Sequence, residues 1–329
     1  MIEIEFSKPV SVMNSDILSY LEVALIDGIY EPPIPLDTLA KALRVNPMHA
    51  SAIEFKRNTL VLAISLSELL PRQDAKRFIQ DYLTFGNGYL QVVRNFRGLG
   101  EPVKLKHLPA LYMRRREDLG WTYKPRAYDD EGRIDYKQGQ VFHLGDYDIA
   151  QELYGLPSHV SGLTSIWLNE DATLFRRQYF RNGNHAGYLL YMNEPTMTTK
   201  QEEEIKKQLQ AQEGMAFKNL FVNAKGKDTK APELKAIGQV EAKDAFKDVK
   251  NQTMTDVLAL HRVPIELMSI RRESITSLDL SKVDWLFHKN ELLPLIDMMQ
   301  ELNDVVGQEV ILPREYKSLE YAKIESDHE

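Results

Sequence analysis

The sequence predicts an α+β protein, with helices and strands segregated along the chain rather than alternating. Three observations carry this reading. Helical spacing of apolar residues dominates as far as Phe85. Short aromatic and β-branched runs split by polar turns follow, up to Gly145. Beyond Pro157, long helical stretches enclose a small module that contains strand-forming runs.

Taken in order, Asn14 or Ser15 can cap a first helix, with Ile17, Leu18, Leu21 and Leu25 on one face and "YEPPIP" as its stop. Leu36–Leu43 reads as a short helix. Pro47 opens a third helix through Leu62, because its fixed φ suits a first helical turn. Arg72–Phe85 is a fourth, with Phe78, Ile79, Tyr82 and Leu83 at core spacing; Gly86 and Gly88 can end it in left-handed conformations. "YLQVVRNFRGLGEPVKLKHL" reads as a hairpin turning at Gly98–Gly100. "ALYMRRRED", "GWTYKP" and "QVFHLG" continue as short strands, and "DDEGRIDYKQGQ" reads as a polar loop.

A long helix is predicted from Pro157 to about Asn182, with Val160, Leu163, Trp167 and Leu174 as its stripe. Asn182-Gly183-Asn184 breaks it, and Ala186–Met192 reads as a strand. "TTKQEEEIKKQLQAQEG" is a helix in which Thr199 and Glu202 are spaced as a capping box. Glu202/Lys206 and Glu203/Lys207 are favourable i,i+4 pairs, and the thin apolar face of Ile205 and Leu209 marks the helix as exposed. "FKNLFVNA" is a second strand. Ala242–Arg262 is a further helix, ended by Pro264. A last long helix runs from about Ser281 to Val306, where Pro294 must kink or break it. "QEVILP" is a closing strand and "ESDHE" an acidic tail.

Composition narrows the function. The chain has 329 residues, no cysteine and a net charge of −7. Disulfides, cysteine nucleophiles and thiolate metal sites are excluded, and a reducing compartment is expected. The acidic balance argues against tight nonspecific coating of nucleic acid. No uncharged apolar run reaches the roughly 18 residues of a membrane span, and "MIEIEFSKPV" lacks the apolar region of a secretory signal.

Motifs for chemistry are sparse. The eight histidines form neither an H-x-x-x-H nor an H-E-x-x-H spacing and read singly as surface or packing residues. "AKGKDTK" lacks the spacing of a phosphate-cradling loop, and there is no G-x-S-x-G elbow. Glu233 and Lys235, with Asp228 upstream, are the best fragment of a metal-dependent nuclease, against the plain reading of a solvated charged loop. No catalytic residue, cofactor or metal is assigned. "MRRRED" reads as a surface or intersubunit charge cluster. Arg177 and Arg181, at i,i+4 beside Arg176, either complement the negative end of their helix or present a charged face to a polymer or a neighbouring subunit.

The ordered set "DILSYLE", "YEPPI", "FKRNTL", "FGNGYLQVV", "ELYGLP", "LNEDATLFRRQYFRNGNHAGY", "FKNLFVNA", "HRVP" and "GQEVI" resembles the portal, or head–tail connector, proteins of tailed bacteriophages, in their peduovirus branch. The likeness runs nearly end to end. It implies a portal fold with wing, two-helix stem and small α/β clip, and little or no crown. By that resemblance residues 1–156 are the wing, 157–182 the first stem helix, 183–240 the clip, 241–263 the second stem helix, and 264–329 a tunnel-lining kinked helix with a closing wing strand.

The resemblance also implies what the protein does. Its subunits form a ring, usually twelve-fold, at one capsid vertex, through which double-stranded DNA is packaged and ejected without sequence readout. Implied partners are further copies of the chain, the terminase large subunit, the major capsid and scaffolding proteins, and a head-completion or tail connector protein. Implied channel or subunit-contact residues are Arg176, Arg177, Arg181, Lys282, Asp284, His288 and Lys289; implied clip contacts are Glu203, Lys206, Lys207 and Gln210. The expected location is the virion, with host cytoplasm during assembly, and no enzymatic role is expected. The competing readings are the nuclease and a monomeric adaptor without a pore.

Overall fold

The chain opens its described part with a hairpin rather than a helix. The computed structural model describes residues 23–95, 100–125, 131–149, 151–181, 188–192, 198–211, 220–223, 233–236, 242–268 and 279–317. Strands β1 (Leu25–Ile26) and β2 (Ile29–Tyr30) pair antiparallel across Asp27-Gly28, both at positive φ (51° and 73°). Two left-handed residues give a turn whose twist matches that of its strands, and Asp-Gly is a favoured pair for it. Leu25 therefore belongs to a strand, not to the face of a first helix; the rest of that expected helix lies outside the described residues.

Helix α1 (Leu36–Val45) follows, then α2 (Pro47–Ala63), whose Asn46 side chain accepts from the Met48 and His49 amides. The short strand β3 (Ile64–Leu66) leads to α3 (Arg72–Phe85), which ends at Gly86 as expected, whereas Gly88 is not left-handed and belongs to the strand that follows. Gly86 takes φ 69° and donates its N–H to the Tyr82 carbonyl. β4 (Asn87–Arg94) is the centre of a three-stranded antiparallel sheet, flanked by β5 (Pro102–Leu108) and, from later in the chain, Val141–Gly145. The residues of the turn at 96–99 lie outside the described set.

β6 (Met113–Arg116), β7 (Trp121–Tyr123) and β8 (Ile134–Tyr136) join β1 and β2 in a five-stranded sheet ordered β1-β2-β6-β7-β8. β8 corrects the expected polar loop: Tyr136 sits opposite Trp121 and is buried, so tertiary packing recruits a run with little strand signature. β9 is the Val141–Gly145 strand already met.

The long helix after Pro157 begins as a 3₁₀ turn, Ser158–Gly162, and becomes α4 only at Leu163, running to Arg181. Of its expected stripe, Val160 and Leu163 are buried, Trp167 is half-buried and Leu174 is exposed; Ile166, outside that stripe, is buried.

The contacts divide the chain into two compact units, Met1–Ile166 with Thr255–Glu329, and Trp167–Met254. In the second, β10 (Tyr188–Met192) lies between β11 (Leu220–Asn223), parallel to it, and β12 (Glu233–Ala236), antiparallel to it. Parallel neighbours need a crossover, and α5 (Thr199–Ala211) supplies it. Its capping box stands one residue earlier than expected. The Gln201 side chain accepts from the Thr198 backbone N–H at 3.0 Å, and the Gln201 N–H approaches Thr198 Oγ1 at 3.4 Å. β12 replaces the loop expected around Glu233 and Lys235.

α6 (Ala242–Leu260) returns the chain to the first unit, where α7 (Leu280–Phe287), α8 (Leu293–Met299), α9 (Glu301–Val306) and β13 (Ile311–Pro313) complete it. β13 pairs antiparallel with β3. Asn303 pins that strand: its Oδ1 accepts from the Val310 and Ile311 amides, and its Nδ2 donates to the Ile311 carbonyl. The core lies between α2, α3 and the β4 sheet, with Leu60, Phe78, Ile79, Leu90 and Leu105 buried. The polar stretch at 269–278, which could be loop or strand, lies outside the described residues.

Candidate functional site

The long helix α4, the helix α5 and the helix that begins at Leu280 carry the residues singled out by sequence. α4 and α6 each run from one unit into the other. Within the first unit, a Cβ on Gly162 would overlap the Leu260 side chain, so glycine permits the close approach there. Within the second, Asn169 Nδ2 donates to Thr253 Oγ1 at 3.0 Å, and buried Thr253 in turn approaches the Lys250 carbonyl at 3.2 Å.

On α4, Arg176 is half-buried and Arg177 exposed; the Arg181 side chain lies outside the described set. On α5, Glu203 is exposed, and the side chains of Lys206, Lys207 and Gln210 also lie outside that set.

The helix around Pro294 differs from a simple kink. Residues His288–Leu292 form one π-helical turn, and the Leu293 N–H reaches the His288 carbonyl five residues back. An α-helix would crowd the proline ring against the carbonyl four residues earlier; one extra residue in the turn removes that crowding. The element breaks again at Gln300.

The wider turn splits the four polar residues expected to act together. Asp284 accepts a hydrogen bond from Tyr316 Oη at 2.7 Å, and the buried His288 ring lies 4.5 Å from the Tyr316 ring. Burial lowers the His288 pKa, against the pull of Asp284. Both residues therefore face the chain's own C-terminal segment. Lys282 and Lys289 are exposed: Lys282 pairs with Asp279 at 3.4 Å, and Lys289 Nζ lies 4.9 Å from the Trp285 ring. Leu280, Trp285, Leu286 and Leu293 are exposed on the same element.

The same π turn aims Glu291 inward. Glu291 pairs with Lys56 Nζ of α2 at 2.5 Å, both side chains buried, and Arg262 approaches its other oxygen at 3.4 Å. Burial holds the Lys56 ammonium below its usual range despite Glu291. Beside this pair the structure gathers three histidines that sequence treats singly. His49 Nδ1 and His261 Nε2 are 2.8 Å apart, and the His159 ring lies 4.7 Å from His49 and 5.3 Å from His261. All three are buried. Sequence reasoning missed the trio because its members are more than a hundred residues apart. The one local signal is a proline within three residues of each (Pro47, Pro157 and Pro264), which marks helix ends that must converge somewhere.

The half-buried His143 is structural. His143 stacks on Tyr89 at 4.6 Å and donates from Nε2 to Asn87 Oδ1 at 2.9 Å; burial pushes its pKa down to about 3.

Comparison with known proteins places this architecture. The profile of the phage portal protein family matches residues 68–316, well over half of the chain. The chain is 39% identical over 316 residues to a protein named "Probable portal protein" of Escherichia phage P2, covering 94% of this chain and 90% of that protein. It is 32% identical over 297 residues to the "Probable portal protein" of Haemophilus phage HP1 (strain HP1c1), covering 88% and 86%. Among solved structures, the fold is similar to a chain of the virion of a native gene transfer agent particle, with a TM-score of 0.60 at 14% identity over 89% of this chain and 87% of that one. A chain in the neck of the native particle computed with C12 symmetry gives 0.59 at 15% identity, covering 88% and 87%. Those structural likenesses speak to the fold; the sequence likeness goes further, and the chain belongs to the phage portal protein family.

Proposed function

We propose that this portal protein assembles as a ring at one capsid vertex, and that double-stranded DNA enters and leaves the capsid through its central hole. The observation that carries the reading is the end-to-end likeness to the phage P2 protein, joined to two long helices with a small α/β module between them in the chain. In this reading α4 and α6 are the stem, residues between them the clip, the first unit the wing, and α7–α8 the tunnel segment. A twelve-fold ring is our choice, motivated by the C12 symmetry of the gene transfer agent neck that contains a similar fold.

Arg176, Arg177 and Arg181 then face the lumen or a neighbouring subunit, as do Lys282 and Lys289. The inward placement of Asp284 and His288 favours a different task for those two: holding Tyr316 and hence the C-terminal segment against the tunnel helix. Exposed Glu203 and its neighbours on α5 would meet the terminase large subunit before a head-completion protein replaces it. Capsid and scaffolding proteins would contact the wing.

The charge balance suits a conduit. Each phosphate contact must be broken for DNA to advance, so a mainly acidic chain with scattered cations limits drag. The protein would act without catalysis. Negative-stain images of the purified full chain test the proposal: rings with a central hole are expected, and a monodisperse monomer at micromolar concentration would overturn it.

A further inference from the structure

We propose that His49, His159 and His261 form an acid-operated release at the root of the two long helices, a joint that is tight while all three imidazoles are neutral and opens when they take up protons. His49 lies in the first turn of α2, His159 in the 3₁₀ turn that leads into α4, and His261 just past the end of α6. The trio therefore ties the start of one long helix and the end of the other to α2, within the first unit.

His49 Nδ1 and His261 Nε2 at 2.8 Å share one proton. Two nitrogens on one metal ion, each bonded at about 2.0–2.1 Å, would stand more than about 3 Å apart, so the spacing is that of a hydrogen bond. His49 Nε2 and His159 Nε2 are buried with no hydrogen-bond partner among the described residues. An imidazolium carries protons on both ring nitrogens, so a charged His49 or His159 holds a buried Nε2–H donor with nothing among the described residues to receive it.

The charge that acts on His159 and His261 from outside the trio is the Lys56 ammonium of α2. Around Lys56 in turn stand Glu291 of the π turn, Arg262 after α6 and Asp146 after β9. Glu291 is already engaged by Lys56 and Arg262, and Asp146 feels the same two cations. An added imidazolium would join a region whose anions are committed, beside Lys56 and two further rings. In keeping with this, burial pushes His49 down to about 4, His261 down to about 3 and His159 well below its ordinary value.

The sign follows from linkage. These folded-state values lie below the ordinary histidine value near 6.5, so the joint has its full stability above about pH 6.5 and loses it as pH falls toward 4 and 3. Hydrogen–deuterium exchange of the full-length chain between pH 7.5 and 5, corrected for intrinsic rates, reads this directly. Peptides within 158–166 and 255–263 should lose protection by about tenfold or more per pH unit below pH 6, while peptides of α3 keep theirs. Unchanged protection at the root, or loss only in step with α3, overturns the proposal. His159→Phe removes one proton site without touching the hydrogen bond between His49 and His261. It should flatten the root's pH dependence by about tenfold per unit; an unaltered dependence would also overturn the proposal. If that variant does not fold, the wild-type comparison between root and α3 still decides.

Discussion

At the scale of single residues, the buried charges and imidazoles were invisible to sequence, because their partners come from other elements. Lys56 sits in "EFKRN", where nothing distinguishes it from a surface lysine, yet it is 6% exposed and meets Glu291 from 235 positions later. Removing one member of such a pair strands the other charge in a poor solvent. Glu291→Ala should therefore cost about 3–5 kcal/mol in urea unfolding. Replacing both, as Lys56→Met with Glu291→Leu, should restore most or all of that loss, since Arg262 is 70% exposed and can turn to water. A double variant as unstable as the single one would show that packing, not the stranded charge, is responsible. His143 gives a second expectation. Its neutral ring is favoured by folding, so its contribution is complete above about pH 6.5 and declines by about 1.4 kcal/mol per pH unit as pH falls toward 3. His143→Phe keeps a ring on Tyr89 and leaves Asn87 Oδ1 its second donor, the Gly155 N–H. Urea midpoints measured from pH 7 to 4.5 should slope less steeply for this variant by about one proton.

At the scale of elements, local signals were legible wherever the local chain decides. α3 ends at Gly86 as its left-handed cap requires, and Pro47 opens α2. The misses have physical causes. Asp27-Gly28 is a hairpin signal that a helical reading of Leu25 overrode. β8 and β12 are three- and four-residue strands whose partners, not their own residues, define them. Pro294 requires an interruption of regular α-helix, and the chain supplies it as a π turn rather than the expected kink or break. That turn has a consequence for stability. Pro294→Ala removes the steric reason for the extra residue, and α-helical pairing through 288–292 would rotate the upstream half by about 100° relative to α8. Glu291 would then leave Lys56. The gain in helix propensity, up to about 3 kcal/mol, is offset by the loss of a buried pair worth a similar amount to keep intact. Little change in melting temperature is thus expected, together with a shifted α7. A structure of the variant that retains the His288–Leu293 hydrogen bond would show that the buried pair, not the proline, maintains the turn.

At the scale of the whole molecule, the order of pieces told more than any one of them. No motif for catalysis stands out, whereas strands between two long helices, in a fixed sequence of short phrases, point to the portal family. Which face of each helix meets a neighbour was not legible, because a single chain records no pattern for surfaces completed by other copies. Charge reversal of Arg177 and Arg181 to glutamate addresses one such face. Ring assembly or packaging should fall while far-ultraviolet circular dichroism is unchanged; normal assembly and packaging would reduce the pair to cations at a helix end. The module between the long helices allows a sharper test. β10 and β11 are parallel, so the stretch between them cannot be replaced by a tight turn without abolishing their pairing. The clean excision is the entire stretch 182–241, with Arg181 joined to Ala242 by a short glycine-serine turn, because antiparallel helices accept a brief connection. The first unit keeps every buried contact of its core, its Asn303-pinned strand and its histidine trio. Its thermal midpoint should therefore stay within a few degrees of the full chain's. What should vanish is the capacity to dock a packaging motor, read as loss of terminase pull-down and of filled capsids in a complementation assay. Filled capsids at wild-type yield would separate the small module from motor docking and leave that task to the wing.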